Sequence, residues 1–192
     1  VDIVSTMYPY LETLKEAGIN EKGDPRPYYM CEYAHSMGMG PGGLSEYWEL
    51  IYKYPRLCGG CVWEWADHAV KGKDGWLYGG DFGDFPNDGV FCVDGLCFPD
   101  RTPHLGLKEL KKVIRPARFS LEEKENGYTV TVENTLDFIN LSDLFECVFV
   151  HPHTATGERT ESALPLSVAK KKKKEIAFIE KENYTERTFV GF

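Results

Sequence analysis

Strand and helix signals alternate through the first 70 residues, and that alternation constrains the fold more than any other feature of the chain. Residues 1–7 read as a strand. Residues 9–17 carry a short helical pattern stopped by Gly18. Residues 27–31 are a second strand, after a polar loop with Gly and Pro. Leu44, Tyr47, Trp48 and Ile51 recur at i, i+3, i+4 and i+7, which is the helical period, and Pro55 ends that helix. Residues 58–63 are a third strand. Strand–helix–strand–helix–strand is the repeat of a parallel sheet. Three such strands cannot close a barrel, so a barrel built on them would need most of its strands from elsewhere.

In a parallel β/α barrel the chemistry sits at the C-terminal ends of the strands. Glu32 lies at the end of the second strand, and Tyr33-Ala34-His35-Ser36-Met37-Gly38 follows at once. A carboxylate, a histidine and a Gly-rich turn within a few residues mark this segment as the candidate catalytic centre. Residues 74–100 form a second candidate element. They are rich in Gly, Asp and aromatics and show little periodicity, and five aromatics between Trp76 and Phe91 argue against a disordered linker. Long irregular loops in compact domains are usually functional.

The net charge of −8 argues against a nucleic-acid partner, which would require a basic face. Aromatic residues make up 14% of the chain, a surplus that suits a carbohydrate site and equally an aromatic core. No stretch approaches the ~20 apolar residues of a membrane span, and the opening residues do not read as a signal peptide. Both ends begin or stop in strand-like runs, as if cut from inside a larger protein. Cys58-Gly59-Gly60-Cys61 with Cys92 and Cys97 could form a four-Cys zinc site. All six cysteines lie in or beside apolar runs, however, so buried free thiols are the favoured expectation, and with them a reducing, cytoplasmic compartment.

Residues 105–113 carry a helical pattern, broken at Ile114-Arg115-Pro116. Beyond it the period is two. Tyr128, Val130 and Val132 alternate with Thr129, Thr131 and Glu133, and Phe145, Cys147 and Phe149 alternate with their neighbours. Turns are expected at 125–127 and 156–158, and short strands at this spacing suggest an antiparallel sandwich. The five lysines at 170–174 read as a solvated turn or edge.

The run Cys31-Glu32-Tyr33-Ala34-His35-Ser36-Met37-Gly38, with Gly59-Gly60-Cys61-Val62-Trp63-Glu64-Trp65 and Gly79-Gly80-Asp81-Phe82-Gly83-Asp84, resembles the large bacterial β-galactosidases of glycoside hydrolase family 2. Asp88, Phe91-Cys92-Val93-Asp94-Gly95-Leu96 and Asp100-Arg101-Thr102-Pro103-His104 continue the likeness in the same order, up to about residue 113. The resemblance implies that residues 1–113 are the last strands of a (β/α)8 TIM barrel with an active-site loop. Residues 114–192 would then open an immunoglobulin-like β-sandwich, the whole being truncated at both ends.

It also implies roles: Glu32 as the nucleophile of a retaining β-galactosidase, with Tyr8 hydrogen-bonded to it; His35, Trp63 and Asp88 as sugar-binding residues; the Phe91 carbonyl and Asp94 as ligands of sodium. The acid/base glutamate and the magnesium ligands would lie outside this chain. The substrate would be a β-galactoside, the parent a homo-oligomer, and the isolated chain inactive. Two departures stand out: Met39 replaces a frequent Asn, and Asp94 replaces an Asn seen in some members.

Two other readings compete. One is a non-catalytic carbohydrate-binding module with Trp63, Trp65 and Trp76 as sugar platforms, against which the three βα strands count. The other is a family 2 β-glucuronidase or β-mannosidase.

Overall fold

Three parallel strands, β1 (Val4–Thr6), β2 (Tyr28–Tyr33) and β3 (Leu57–Val62), lie side by side in that order. The computed structural model describes residues 1–151, 162–180 and 189–191. It divides the chain into two units, Val1–Ile114 and Arg115–Phe192. In the first unit, α1 (Leu11–Ile19) links β1 to β2 and α2 (Leu44–Lys53) links β2 to β3. No closed barrel is formed. Among the described residues no helix is long and apolar enough to cross a membrane.

The sheet has one covered face. Side chains alternate across a strand, and Tyr28, Met30 and Tyr33 of β2 pack with Leu57 against Leu14 of α1 and Leu44 and Ile51 of α2. Fully burying an apolar side chain of this size is worth about 1.5–3 kcal/mol. Leu110 and Val113 of a third helix, α3 (Leu105–Val113), add to the same cluster. Tyr29 and Cys31 fall between the buried positions of β2 and, among the described residues, belong to no apolar cluster with the helices.

This single coverage corrects the expectation of buried thiols. Cys31, Cys58 and Cys61 are exposed, Cys92 and Cys147 are partly exposed, and Cys97 alone is buried. All six are free, and among the described residues no cluster of three or more His, Cys, Asp or Glu could hold a metal ion.

The first helix runs through Gly18 rather than stopping there, and ends at Asn20 in the left-handed region (φ 56°). Gly18 serves packing: a Cβ at that position would lie 2.7 Å from the ring of Tyr54. Close by, Asp24 accepts hydrogen bonds from Arg26 and pairs with Arg56, whose guanidinium also donates to the Ala17 carbonyl at 2.7 Å. Arg26 first, through its side chain and its backbone amide, holds the Asp24 carboxyl well below the usual carboxylate range. The cluster anchors the entry to β2.

Residues 74–100 are mostly irregular, as expected, and so are the flanking stretches 67–73 and 101–104. They contain a short hairpin, β4 (Val70–Lys71) with β5 (Trp76–Leu77), and a 3-10 turn at Gly79–Phe82.

The second unit holds two antiparallel three-stranded sheets. One is built from β6 (Ala117–Lys124), β7 (Gly127–Asn134) and β10 (Lys173–Glu180), with β7 central. The other is built from β8 (Cys147–His151), β9 (Ser162–Pro165) and β11 (Phe189–Gly191), with β8 central. The alternation on β7 is realised only in part: Val130 and Val132 are buried, each in its own apolar cluster with Leu164 of β9 packed against both, but Thr129 is buried too and Tyr128 only partly so. The turn at 125–127 closes the β6–β7 hairpin, while that at 156–158 lies outside the described residues. The five lysines at 170–174 are exposed, in a turn and the start of β10.

On helix propensity alone Gly18→Ala should stabilise α1 by about 1 kcal/mol. The Tyr54 ring reverses the sign, because overpacking of this kind costs about 1–3 kcal/mol. Urea unfolding of the protein carrying this segment should show the variant to be the less stable.

Candidate active site

The C-terminal ends of the three strands converge on one cluster of acidic and aromatic side chains. Tyr8 follows β1, Glu32 lies near the end of β2, and Trp63 and Glu64 follow β3. Tyr8 donates its phenolic hydrogen to Glu32 Oε2 at 2.6 Å, and its backbone N–H donates to the Glu32 carbonyl at 2.7 Å. This double tie holds Tyr8 at φ 45°, in the left-handed region that a bulky residue rarely occupies. Such strain costs about 1–3 kcal/mol and tends to mark functional positions. Burial, the bond to Glu32 and the negative charges of Glu32, Asp94 and Glu64 push the Tyr8 phenol above its ordinary range. Tyr8 therefore stays protonated and remains a donor.

Asp94 is the buried centre of the cluster, at 2% exposure. Trp63 donates its indole N–H to Asp94 Oδ2 at 3.0 Å, and His35 Nε2 lies 3.2 Å from the same oxygen. The Asp94 carbonyl accepts from the Ser36 hydroxyl at 2.8 Å and from the Glu64 amide at 2.9 Å. One residue of the irregular loop thus joins the segments that follow β2 and β3. Its other carboxylate oxygen, Oδ1, is buried without a hydrogen-bond partner. A buried charged acceptor left unpaired is costly, and an oxygen of this kind suits a hard cation.

The indole N–H fixes Trp63 by its edge, and the residue is still 38% exposed. A ring held by its edge and open to solvent is suited to an apolar ligand face. His35 packs near Tyr8 (ring centroids 6.1 Å apart) and near Phe91 (5.6 Å). The Phe91 amide donates to the Asp88 carbonyl at 3.1 Å. Asp88 itself is exposed, and no side-chain hydrogen bond joins it to Glu32 or Asp94 among the described residues. Of the seven residues singled out in the sequence, the structure joins Tyr8 to Glu32, and His35 and Trp63 to Asp94, with Phe91 against His35. It leaves the Asp88 carboxylate apart.

Glu64, Asp67, His68 and His104 were not foreseen. Burial first, and then the neighbouring Asp94 carboxyl, raises the Glu64 carboxyl above its usual range, against the opposing pull of His68, whose Nε2 is 3.0 Å from Glu64 Oε2. The signal lay in the sequence: Trp63-Glu64-Trp65-Ala66-Asp67-His68 directly follows a strand, the position where barrel chemistry collects.

The family described as "Glycosyl hydrolases family 2, TIM barrel domain" matches residues 1–119. The chain belongs to that family. Its relatives include a β-galactosidase of Staphylococcus xylosus, 40% identical over 172 residues, which cover 87% of this chain and 17% of that protein. A β-galactosidase of Actinobacillus pleuropneumoniae is 48% identical over 119 residues, which cover 62% of this chain and 11% of that protein. One from Vibrio cholerae is 50% identical over 101 residues, which cover 50% of this chain and 10% of that protein. The chain thus spans less than a fifth of the length of each of these relatives.

Removing the Asp94 carboxylate would strand the Trp63 N–H and loosen His35. Asp94→Ala should therefore cost about 1–3 kcal/mol of stability, and Asp94→Asn, which keeps an oxygen for Trp63, less. Chemical denaturation followed by tryptophan fluorescence separates the two.

Proposed function

We propose that this chain is the part of a retaining β-galactosidase that carries the nucleophile and much of the sugar-binding wall. The observation that carries this reading is the 2.6 Å bond from the Tyr8 hydroxyl to Glu32 at the end of a parallel strand, in a chain of glycoside hydrolase family 2 whose relatives are named β-galactosidases. Glu32, in its anionic form, attacks the anomeric carbon and forms a glycosyl–enzyme intermediate that water then hydrolyses. The Tyr8 hydroxyl, 2.6 Å from Oε2, fixes the direction of the nucleophile's carboxylate. Trp63 offers its ring to the apolar face of galactose, His35 binds sugar hydroxyls, and Asp88 lines the site from the irregular loop.

A retaining glycosidase needs a second carboxyl roughly 5 Å from the nucleophile to protonate the leaving group. Among the described residues Glu64 is a carboxyl whose neutral form is favoured, but it is engaged with His68, whose Nε2 lies 3.0 Å from its Oε2. The acid/base residue is therefore assigned to a part of the enzyme outside this chain, together with the magnesium site. Asp94 and the Phe91 carbonyl are assigned to a sodium ion beside the sugar. The unpaired, buried Asp94 Oδ1 fits a hard cation, and further ligands come from outside the chain. Residues 115–192 are read as the opening of a β-sandwich, a reading supported by Leu164, which packs onto the sheet of β6, β7 and β10. The enzyme is placed in the cytoplasm as a homo-oligomer.

In the intact enzyme, Glu32→Gln keeps the shape of the side chain but cannot act as an anionic nucleophile, so turnover should fall by about 10³-fold or more while the fold is retained. Labelling with a fluorinated galactoside, followed by peptide mapping, should place the sugar on Glu32. A label on another carboxylate would overturn the assignment.

The isolated 192-residue chain should not turn over a chromogenic β-galactoside at all, because it carries the proposed nucleophile but no identified acid/base partner. Turnover by the isolated chain that disappears in Glu32→Gln would show that an acid lies within it, Glu64 being the residue to test next.

A further inference from the structure

Asp67 is 6% exposed, and both of its carboxylate oxygens are used. Oδ1 accepts the Gly95 amide at 2.8 Å, and Oδ2 lies 3.0 Å from His104 Nε2. Gly95 directly follows Asp94. The backbones on either side run close together: the Glu64 amide donates to the Asp94 carbonyl (2.9 Å), the Leu96 amide to the Glu64 carbonyl (2.8 Å), and the Asp67 amide to the Cys97 carbonyl (2.9 Å). The approach at Gly95 is so tight that a Cβ there would lie 2.1 Å from the Asp67 nitrogen.

His104, the other partner, is fixed in turn. Its ring stacks on Phe98 with centroids 3.9 Å apart, and its amide donates to the Leu96 carbonyl at 3.0 Å. The Asp67 carboxylate therefore grips the loop on both sides of the Leu96–Phe98 stretch. None of its hydrogen bonds reaches Glu32, Tyr8, His35 or Trp63.

We propose that Asp67 is a positioning residue: by holding the Gly95 amide and the His104 ring, it sets the carboxylate of Asp94 against Trp63 and His35. The proposal rests on the reading of Asp94 as part of the sugar and sodium site. A hydrogen bond to an ionised acceptor is roughly twice as strong as a neutral one. The bond to Gly95 is one residue from Asp94, so its loss displaces the Asp94 oxygens directly. Displacements of about 1 Å in a positioned group can cost about 10²-fold in rate. A purely structural role makes a different forecast: the enzyme melts earlier, but each folded molecule binds and turns over as before.

The test uses the intact enzyme that carries this segment, in four forms: wild type, Asp67→Ala, Asp67→Asn and Asp94→Ala. Three quantities are read: KM against kcat for a chromogenic galactoside, sodium binding by sodium NMR linewidth without substrate, and melting temperature. For Asp67→Ala, KM and the sodium half-saturation concentration should both rise by about tenfold. Asp67→Asn keeps an oxygen for the Gly95 amide and should recover most of both. Earlier melting of Asp67→Ala with unchanged KM and unchanged sodium binding would overturn the proposal. If Asp67→Ala does not fold, His104→Ala, which removes one grip only, is read instead. A smaller rise in the same two quantities supports the proposal, and no change in either overturns it. Asp94→Ala separates the layers. If it leaves sodium binding and KM intact, the site reading fails and the role of Asp67 with it. If it disturbs both while Asp67→Ala disturbs neither, the role of Asp67 alone is lost.

Discussion

The buried carboxylate of Asp94 is the interaction on which the candidate site depends. It collects the Trp63 indole and the His35 ring on one oxygen, while its carbonyl takes the Ser36 hydroxyl and the Glu64 amide. Those partners come from the segments after two different strands, and Asp94 comes from neither. Backbone bonds also join these pieces, the Ser36 amide to the Trp63 carbonyl at 2.8 Å and the Leu96 amide to the Glu64 carbonyl at 2.8 Å among them, and the Asp94 carboxylate adds the grip on the Trp63 and His35 side chains. A buried anion of this kind is tolerated only where donors surround it. Here donors satisfy one carboxylate oxygen and the carbonyl but leave Oδ1 bare. The hub therefore gathers the Trp63 and His35 side chains and leaves one of its oxygens without a hydrogen-bond partner.

The one-sided sheet leaves Tyr29 partly exposed and Cys31 and Cys61 exposed. The helix-covered face of β2 and β3 is well packed, while Tyr29, Cys31 and Cys61 lie on or near a face without a cover in this chain. Tyr29 and Cys61 satisfy each other across it, with the phenolic oxygen 2.8 Å from the sulfur. In a closed barrel the corresponding face is a packed interior. Exposed β edges and bare apolar faces promote association, so the proposed membership in a much longer enzyme gives a physical reason for a surface that a self-sufficient domain would avoid.

Much of this architecture was legible in the residues. The three parallel strands fall within a residue or two of where the apolar runs placed them, except that β1 is shorter, and α3 spans the expected residues. Periodicity works there because tertiary packing reinforces local preference. It failed at Gly18, where a glycine that looks like a helix stop is an interior contact for Tyr54. It failed again at the cysteines, since an apolar run says that a strand has a buried face without saying which residues are on it. Glu32, Tyr8, His35, Trp63 and Asp94 were recognised through ordered motifs. Glu64 and His104 stood inside quoted motifs without a role, and Asp67 lay outside them, its contacts with Gly95 and His104 spanning 28 and 37 residues of chain.

The electrostatics of the cluster raise a last point. Glu32, Glu64 and Asp94 put three carboxyl groups near one phenol, and their charges together help to keep Tyr8 protonated. Mutual repulsion makes such a grouping costly, and the protein answers it unequally. Glu32 takes a phenol hydrogen bond, Asp94 takes an indole and an imidazole, and Glu64 is driven toward its neutral form with His68 pulling the other way. Glycoside cleavage passes through an oxocarbenium-like state, in which positive charge develops on the sugar. Fixed negative charge that is already desolvated and oriented stabilises that state without reorganising during the reaction. The repulsion stored among the carboxylates is then the ground-state counterpart of the attraction that the proposed reaction would use.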